Sequence, residues 1–223
     1  MSALTAREGY RLWAARYDDE TAVSHLENEV VAEVGVSTKG MRLLDVGCGT
    51  ARRLSDAHAA LAIGMDLSVD MLAAARVTHA LAAADVRALP VATGAFDVVW
   101  CRLVLGHIAE LEAAYVELSR VCRGDGAVIV TDIAPAAVAA GHRRTFRDAL
   151  GAVRELEHHA HTYERHQQAA YAAGLGVVER REGVVGPSIR RFYGAADRLE
   201  VYDAQRGLPL IVAMRLRHIG LAA

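Results

Sequence analysis

The residues with the clearest chemical potential are one aspartate and two glycines that follow a short apolar run. Residues 43–49 read Leu-Leu-Asp-Val-Gly-Cys-Gly, a pattern typical of a buried strand that ends in a tight turn. Because Gly47 and Gly49 lack a Cβ, the backbone there can turn sharply and a ligand can approach it closely. Asp45 falls at the carboxyl end of the predicted strand, where open α/β sheets place their ligands. The stretch therefore indicates a ligand site.

A second acidic residue supports a ligand that contains a nucleoside. Asp66 ends the next predicted strand, 21 residues after Asp45. An acid about 20 residues beyond such a turn can accept hydrogen bonds from both hydroxyls of a ribose. NAD and S-adenosylmethionine (SAM) both carry that ribose. The dinucleotide fingerprint G-x-G-x-x-G requires a third glycine at position 52, which is an arginine, so NAD fits less well.

Three motifs show a family resemblance. Residues 45–51 resemble D-x-G-x-G-x-G, the first motif of class I SAM-dependent methyltransferases, with Ala51 in place of the last glycine. Residues 64–76 carry G-x-D-x-S-x-x-M-L-x-x-A-R and residues 85–90 carry D-x-x-x-L-P, which are also typical of that family. The chain is most similar in these motifs to the type 11 group, which includes quinone-pathway and natural-product methyltransferases.

The resemblance implies a fold and a division of the chain. The fold class is α/β: a Rossmann-like, seven-stranded, mostly parallel sheet with an antiparallel last strand, helices on both faces and small cap insertions. We expect a single methyltransferase domain over residues 1–223. It would comprise N-terminal lid helices at 1–40, a SAM-binding core at 41–133, and substrate-cap segments at 134–165 and 187–207.

Hydrophobic periodicity predicts the elements that position these motifs. One or two amphipathic helices occupy residues 4–34, with a break at 17–20. A helix is expected at 52–60, and another at 109–123 that a left-handed glycine closes within 123–126. Region 134–163 is irregular. The remaining predicted elements are strands at 41–46, 62–66, 81–90 (with its loop), 96–100, 127–133, 176–182 and 208–216, and helices at 163–173 and 190–204.

The resemblance also implies which residues bind SAM. Tyr17 would cover the methionyl part of the cofactor, although an aromatic residue at this spacing can also simply pack a helix on the sheet. Arg102 could contact the cofactor carboxylate, an acidic substrate or solvent. The complete set of implied cofactor-binding residues is Tyr17, Asp45, Gly47, Gly49, Asp66, Leu67, Met71, Asp85, Val86, Cys101 and Arg102.

Histidines supply the candidate catalytic groups. His107 follows the fourth predicted strand, where this family places the reacting methyl group, and neutral imidazole can take a proton near pH 7. It could equally be a buried hydrogen-bonding support. His142, His159 and His161 lie in a segment rich in histidine and arginine, which could line a polar pocket or form a solvated loop. Zinc requires three or four convergent ligands, and this short spacing favours no metal.

Composition excludes several other classes. The chain has 223 residues, 53% of them hydrophobic, and a net charge of −2, whereas a nucleic-acid surface is normally basic. Its apolar runs are shorter than the roughly 18 residues of a membrane span, and its N-terminus lacks a signal pattern. Cys48, Cys101 and Cys122 have neither paired nor metal-like spacing, which indicates reduced thiols and a cytoplasmic protein. We expect a monomer or homodimer.

The predicted function is methyl transfer from SAM to an oxygen, nitrogen or carbon atom of a small molecule, with secondary metabolism as a candidate setting. A general base is needed only where the acceptor must lose a proton. Two alternatives remain on the same fold: a SAM-dependent enzyme that does not methylate, such as a cyclase or decarboxylase, and a non-catalytic SAM-binding module. NAD-dependent reduction is disfavoured by Arg52.

Overall fold

The computed structural model describes residues 3–220 and centres on a seven-stranded sheet. Its strand order is β3-β2-β1-β4-β5-β9-β8. The strands are β1 (Arg42–Val46), β2 (Leu61–Asp66), β3 (Ala80–Ala83), β4 (Phe96–Arg102), β5 (Cys122–Ile133), β6 (Thr145–Arg147), β7 (Val153–Glu155), β8 (Leu175–Val184) and β9 (Pro209–His218). The helices are α1 (Ala6–Trp13), α2 (Ala22–Glu33), α3 (Val69–Ala73), α4 (Glu112–Val121), α5 (Pro135–Ala139), α6 (Tyr163–Ala172), α7 (Arg190–Ala195) and α8 (Leu199–Gln205).

The direction of the strands confirms the predicted topology. Strands β3, β2, β1, β4 and β5 pair in parallel, whereas β9 runs antiparallel to both β5 and β8. Parallel strands present their carboxyl ends at one edge, so the loops after β1, β2, β3 and β4 meet there. None of the helices in the described part of the chain is long and apolar enough to cross a bilayer.

Both faces of the sheet are covered by apolar packing. Leu43 and Leu44 are adjacent in β1 and belong to different buried clusters, because successive side chains point to opposite faces. One cluster contains residues of α4 and α6, and the other contains residues of α2 and α8. A strand that is buried on both sides reads as a continuous apolar run, which is why β1, β4 and β5 were recognisable in the sequence.

The N-terminal segment forms two helices with the predicted break between them. Thr5 and Glu8 form a capping box at the start of α1, and Thr21 and Ser24 form one at the start of α2. Each pair satisfies free N–H groups in the first turn, which fixes where the helix begins. The segment between the helices carries Tyr17 to the carboxyl edge of the sheet.

Two predicted boundaries are wrong. The helix expected at 52–60 is a 3₁₀ segment, Arg52–Asp56, and His58 then adopts a left-handed φ of +48°. The helix expected at 109–123 ends at Val121, and β5 begins at once, so no left-handed glycine closes it. Position 126 requires glycine for a different reason: a Cβ there would lie only 2.6 Å from the carbonyl oxygen of Asp97, so a side chain has no room.

The segments after β5 are more regular than the sequence suggested. Region 134–163 contains α5 and an antiparallel hairpin of β6 and β7. The helix expected at 190–204 is two short helices, α7 and α8, which are separated by Asp197 with a φ of +53°. Residues 187–207 line none of the clefts found in residues 3–220. The division into core and cap segments stays a prediction.

Candidate active site

A left-handed turn closes β1 at the centre of the site. Gly47 and Gly49 adopt φ values of +72° and +61°. A Cβ on Gly47 would clash with the side chain of Val104, and one on Gly49 would lie 3.0 Å from Cε1 of Tyr17. Ala51 occupies a third left-handed position, with a φ of +57°, where the family motif has glycine. Both the backbone conformation and the surrounding side chains therefore favour glycine at 47 and 49.

Asp66 is held by the backbone at the end of β2. Its Oδ2 accepts a hydrogen bond from the N–H of Gly49 at 2.8 Å, and its Oδ1 accepts one from the N–H of Ser68 at 2.7 Å. Burial raises the pKa of this carboxyl, and the two backbone donors oppose that shift. Each oxygen keeps a further lone pair, so the carboxylate can receive the two hydroxyls of a ribose.

A cleft of about 760 Å³ lies over the carboxyl ends of β1 to β4, and we name it the cofactor cleft. It contains most of the residues proposed from the sequence: Tyr17, Gly47, Gly49, Asp66, Leu67, Met71, Asp85, Val86, Arg102 and His107 line it.

Five candidates lie elsewhere. Asp45 and Cys101 are fully buried within β1 and β4 and do not line the cofactor cleft. Burial raises the pKa of the Cys101 thiol, which keeps that group protonated. His142 lines a neighbouring cleft, and His159 and His161 line none of the clefts of residues 3–220.

Asp45 has an unusual electrostatic environment. Both of its carboxylate oxygens are inaccessible to solvent, and neither receives a hydrogen bond from any residue within 3–220. Burial raises its pKa to about 6, although the guanidinium groups of Arg53 and Arg102 oppose the shift. A buried carboxylate without hydrogen-bond donors is suited to a cation, and the methionyl ammonium of SAM is one. The glycine turn, Asp66 and Asp45 together fit that cofactor.

Arg102 forms an ion pair inside the protein. Its Nε and Nη2 donate to the two carboxylate oxygens of Glu27 at 2.8 and 2.6 Å, and Nη2 also donates to Asn28. Glu27 is fully buried and further accepts hydrogen bonds from Thr131 and Arg53. Because both oxygens of the Glu27 carboxylate accept hydrogen bonds, this ion pair connects α2 to the carboxyl end of β4.

Asp85 also has a protein partner. Its carboxylate accepts hydrogen bonds from Nε and Nη2 of Arg87 at 2.9 and 2.6 Å. Those bonds and the positive charge of Arg87 lower the pKa of Asp85. An adenine amine at this position would share the carboxylate with Arg87.

His107 is the centre of a row of hydrogen bonds. Its Nδ1 lies 3.2 Å from the carbonyl oxygen of Glu157, which can only accept, so Nδ1 carries the proton. Its Nε2 then accepts from the hydroxyl of Tyr10 at 2.9 Å, and that hydroxyl accepts from Nη2 of Arg144 at 2.9 Å. Burial and the charge of Arg144 hold the pKa of His107 well below its usual range. The imidazole is neutral and both nitrogens are engaged.

Tyr10 is the functional candidate that sequence reasoning missed. Its ring contacts those of Trp13 and Tyr17, with centroids 5.8 Å away in each case, and it lines the cofactor cleft. These three aromatic residues form a wall between two clefts. The signal was present in the sequence, because positions 10, 13 and 17 share one face of a helix at spacings of three and four.

The second cleft, which we name the arginine cleft, lies on the other side of that wall. It shares Tyr17 and Leu103 with the cofactor cleft. Its basic lining residues are Arg52, Arg53, His142, Arg143 and Arg144. Asp19 is the acidic residue that lines it. Burial lowers the pKa of His142 to about 4, with contributions from His158 and Arg144, so the positive charge comes from the arginines.

Histidines hold residues 157–161 against the loop that follows β4. The N–H of His159 donates to the carbonyl of Gly106 at 2.8 Å, and Nε2 of His161 donates to the carbonyl of Ile108 at 2.9 Å. Asp132 lies fully buried between Nε2 of His158, at 3.5 Å, and Nε2 of His166, at 3.3 Å. Burial alone would raise its pKa, but the two imidazoles hold that pKa well below its usual range. Within 3–220 no three such side chains converge as metal ligands.

Comparison with known proteins identifies the class. Residues 44–130 match the family model Methyltransf_11, a methyltransferase domain. The malonyl-[acyl-carrier protein] O-methyltransferase of Dechloromonas aromatica (strain RCB) is 28% identical over 185 residues, which cover 78% of this chain and 66% of that protein. The chain spans about half the length of several other relatives with the same name.

Solved structures share the fold. A SAM-dependent methyltransferase from Mesorhizobium loti superposes with a TM-score of 0.66 and 20% identity, over 90% of this chain and 99% of that one. The [4+2]-cyclase SpnF superposes with a TM-score of 0.69 and 20% identity, over 98% of both chains. The fold therefore hosts more than one activity, and the site must decide between them.

Taken with the cofactor cleft, these matches identify the chain as an enzyme that contains a methyltransferase domain and whose cofactor is S-adenosylmethionine. The matched residues, 44–130, contain the glycine turn and Asp66.

Proposed function

We propose that this protein transfers the methyl group of SAM to a carboxylate oxygen of a small molecule or acyl thioester. The observation that carries the proposal is the shared wall between the cofactor cleft and the arginine cleft. A methyl donor on one side and a positively charged cleft on the other suit an anionic acceptor.

The charge of the arginine cleft is only partly neutralised. Arg53 is paired with Glu27, and Arg143 lies 3.9 Å from Glu155. Arg52 and Arg144 have no carboxylate within 4.0 Å among residues 3–220. A carboxylate on the acceptor would supply the charge complement of these two guanidinium groups.

The state of His107 also favours an acceptor that arrives already deprotonated. Its pKa is held well below the usual range by burial and by Arg144, and its Nε2 is occupied by Tyr10. Such an imidazole is poorly suited to take a proton from a phenol or an enol carbon. A carboxylate has no proton to lose at neutral pH, so methylation of its oxygen requires no general base.

The names of the relatives support the same acceptor class. The curated proteins that resemble this chain are called malonyl-[acyl-carrier protein] O-methyltransferases. A malonyl thioester carries one free carboxylate. We therefore take the malonyl group as the first acceptor to test.

The residues of the two clefts would divide the work of the reaction. When bound, SAM supplies an electrophilic methyl group on a sulfonium, whose sulfur leaves as a neutral thioether. Asp66 would bind the ribose of the cofactor, the buried charge of Asp45 would attract the methionyl ammonium, and the arginine cleft would orient the acceptor oxygen in line with the methyl carbon. Alignment of this kind can supply several kcal/mol of the barrier. The aromatic wall would exclude water from the junction.

The test is turnover with purified protein, SAM and malonyl-coenzyme A, with acetyl-coenzyme A as the matched compound that lacks the carboxylate. We expect equal amounts of S-adenosylhomocysteine and a malonyl methyl ester, and neither product with acetyl-coenzyme A. Methylation of amines or phenols, but of no carboxylate, would overturn the acceptor class. A product formed without S-adenosylhomocysteine would indicate a non-methylating enzyme.

The cytoplasmic location, the natural-product setting and the oligomeric state stay predictions from the sequence.

A further inference from the structure

The row Arg144–Tyr10–His107 connects the two clefts, and its hydrogen bonds have a direction. The carbonyl of Glu157 fixes the proton on Nδ1 of His107, so Nε2 accepts from Tyr10. The hydroxyl of Tyr10 thus donates its only proton to His107, and its oxygen accepts a hydrogen bond from Nη2 of Arg144. The row therefore ends in a guanidinium whose orientation is set by Tyr10.

The free end of the row is a buried donor. Nη1 of Arg144 is inaccessible to solvent and has no hydrogen-bond acceptor among residues 3–220. The same side chain lines the arginine cleft, and no carboxylate lies within 4.0 Å of it in that part of the chain. A buried guanidinium nitrogen without an acceptor costs free energy unless a ligand supplies one.

A single free nitrogen is suited to a carboxylate that must also react. Nη1 can hold one carboxylate oxygen while the other oxygen stays free to attack a methyl group. A guanidinium that offered both nitrogens would engage both oxygens in a bidentate pair. Because Tyr10 accepts from one N–H of Nη2, the row fixes the orientation of the guanidinium and disfavours that arrangement.

We propose that Arg144 binds the carboxylate of the acceptor through Nη1, and that Tyr10 and His107 are positioning residues that orient Arg144. This inference rests on the proposed function, because it assigns the acceptor-binding residue of the same site. It gives His107 a role two hydrogen bonds away from Arg144, in place of the general base that the sequence allowed.

The proposal is tested by binding to protein saturated with S-adenosylhomocysteine, with malonate and malonyl-coenzyme A as carboxylate probes and acetyl-coenzyme A as the neutral probe. We expect Arg144→Gln to weaken the binding of both carboxylate probes by roughly 10- to 100-fold, the loss of one charge-assisted hydrogen bond. Binding of S-adenosylhomocysteine should not change. Arg147→Gln is the matched control, since Arg147 lies in β6, three residues after Arg144, and lines neither cleft.

The positioning residues give a second readout. Tyr10→Phe should weaken the binding of the carboxylate probes by about 3- to 10-fold, the loss of one neutral hydrogen bond, and should shift the ¹⁵N resonance of Nε2 in His107. Tyr171→Phe on the exposed face of α6 is its control. In turnover, Arg144→Gln should raise KM for the acceptor far more than it lowers kcat, and Arg144→Lys should restore part of that loss.

Two outcomes would overturn the proposal: failure of the wild-type protein to bind any carboxylate probe, or equal binding of those probes by wild type and Arg144→Gln. If malonate binds in an Arg144-dependent manner but malonyl-coenzyme A is not methylated, the inference stands and the proposed acceptor falls.

Discussion

Glu27 and Asp45 are equally buried, yet their pKa values shift in opposite directions. Burial alone would raise the pKa of Glu27, but Arg53, Arg102 and the hydroxyl of Thr131 lower it to about 2. Burial raises the pKa of Asp45 to about 6, because no residue within 3–220 donates a hydrogen bond to it. The comparison separates a carboxylate that stabilises the fold from one that has no hydrogen-bond donors and whose charge can attract a cationic ligand.

The largest expected effect is on the partnered carboxylate. Glu27→Gln should lower the free energy of unfolding by about 3–5 kcal/mol, because it leaves the buried guanidinium of Arg102 without a counter-charge. Urea unfolding at pH 7 measures the change. Glu33→Gln, on the exposed face of the same helix, is the matched control. A loss no larger than that of the control would contradict the structural role of Glu27.

The unpartnered carboxylate should respond in the opposite direction. The pKa of Asp45 rises from 3.8 to about 6, so its contribution to stability falls as pH increases through that interval. At pH 7 the cost of keeping it ionised is about 3 kcal/mol. Asp45→Asn should therefore raise the free energy of unfolding of the ligand-free protein by up to this amount, while weakening SAM binding.

The control for that prediction is Asp203→Asn, at an exposed position in α8. Urea unfolding and calorimetry on the same samples give stability and affinity together. A variant at position 45 that loses both would show that Asp45 is a structural residue like Glu27.

A single hydrogen bond to Glu27 should have a smaller effect. Thr131 donates to Oε1 of Glu27 at 2.8 Å, and Thr131→Val removes that donor at nearly constant volume. We expect a loss of about 2 kcal/mol in the free energy of unfolding and an acid-unfolding midpoint at higher pH, since the pKa of Glu27 rises. Thr145→Val at an exposed position is the control. Equal stability of the two variants would show that Glu27 does not depend on the hydroxyl.

The smallest effect is on the pH dependence of cofactor binding. Protonation of Asp45 removes the charge that would attract the ammonium of SAM. Affinity should be constant above pH 6 and should fall about tenfold for each pH unit below it, since the pKa is about 6. Calorimetry from pH 5 to 8 measures the profile. The Asp45→Asn variant should show no such step, and an identical step in that variant would assign it to another group.

The parts of the site that the sequence predicted depend on residues that are close together in the chain. Gly47, Gly49 and Asp66 come at or just after the ends of apolar strands. The hydrophobic pattern predicts the strands, and the carboxyl ends of parallel strands lie at one edge of the sheet. The mostly parallel direction of the strands, with an antiparallel last strand, followed from the family resemblance. The same local reasoning failed at the end of α4, where Gly124 and Gly126 suggested a helix cap but lie within β5.

The remaining parts depend on contacts between distant positions. Tyr10 and His107 are 97 positions apart, and Glu27 and Arg102 are 75 apart. No spacing rule links such pairs, so the sequence left Arg102 with three alternatives and His107 with two. Tertiary packing places the arginine side chains against Glu27, and it leaves Asp45 without hydrogen-bond donors.

The central claim, that the cofactor cleft binds SAM through Asp66, is tested most directly by calorimetric titration of wild type, Asp66→Ala and the exposed control Asp70→Ala with SAM and with NADH. We predict that wild type and Asp70→Ala bind SAM and not NADH. Asp66→Ala should bind SAM at least roughly 10-fold more weakly, through loss of the ribose hydrogen bonds to a charged group. Equal SAM affinity in all three proteins, or binding of NADH in place of SAM, would contradict the account.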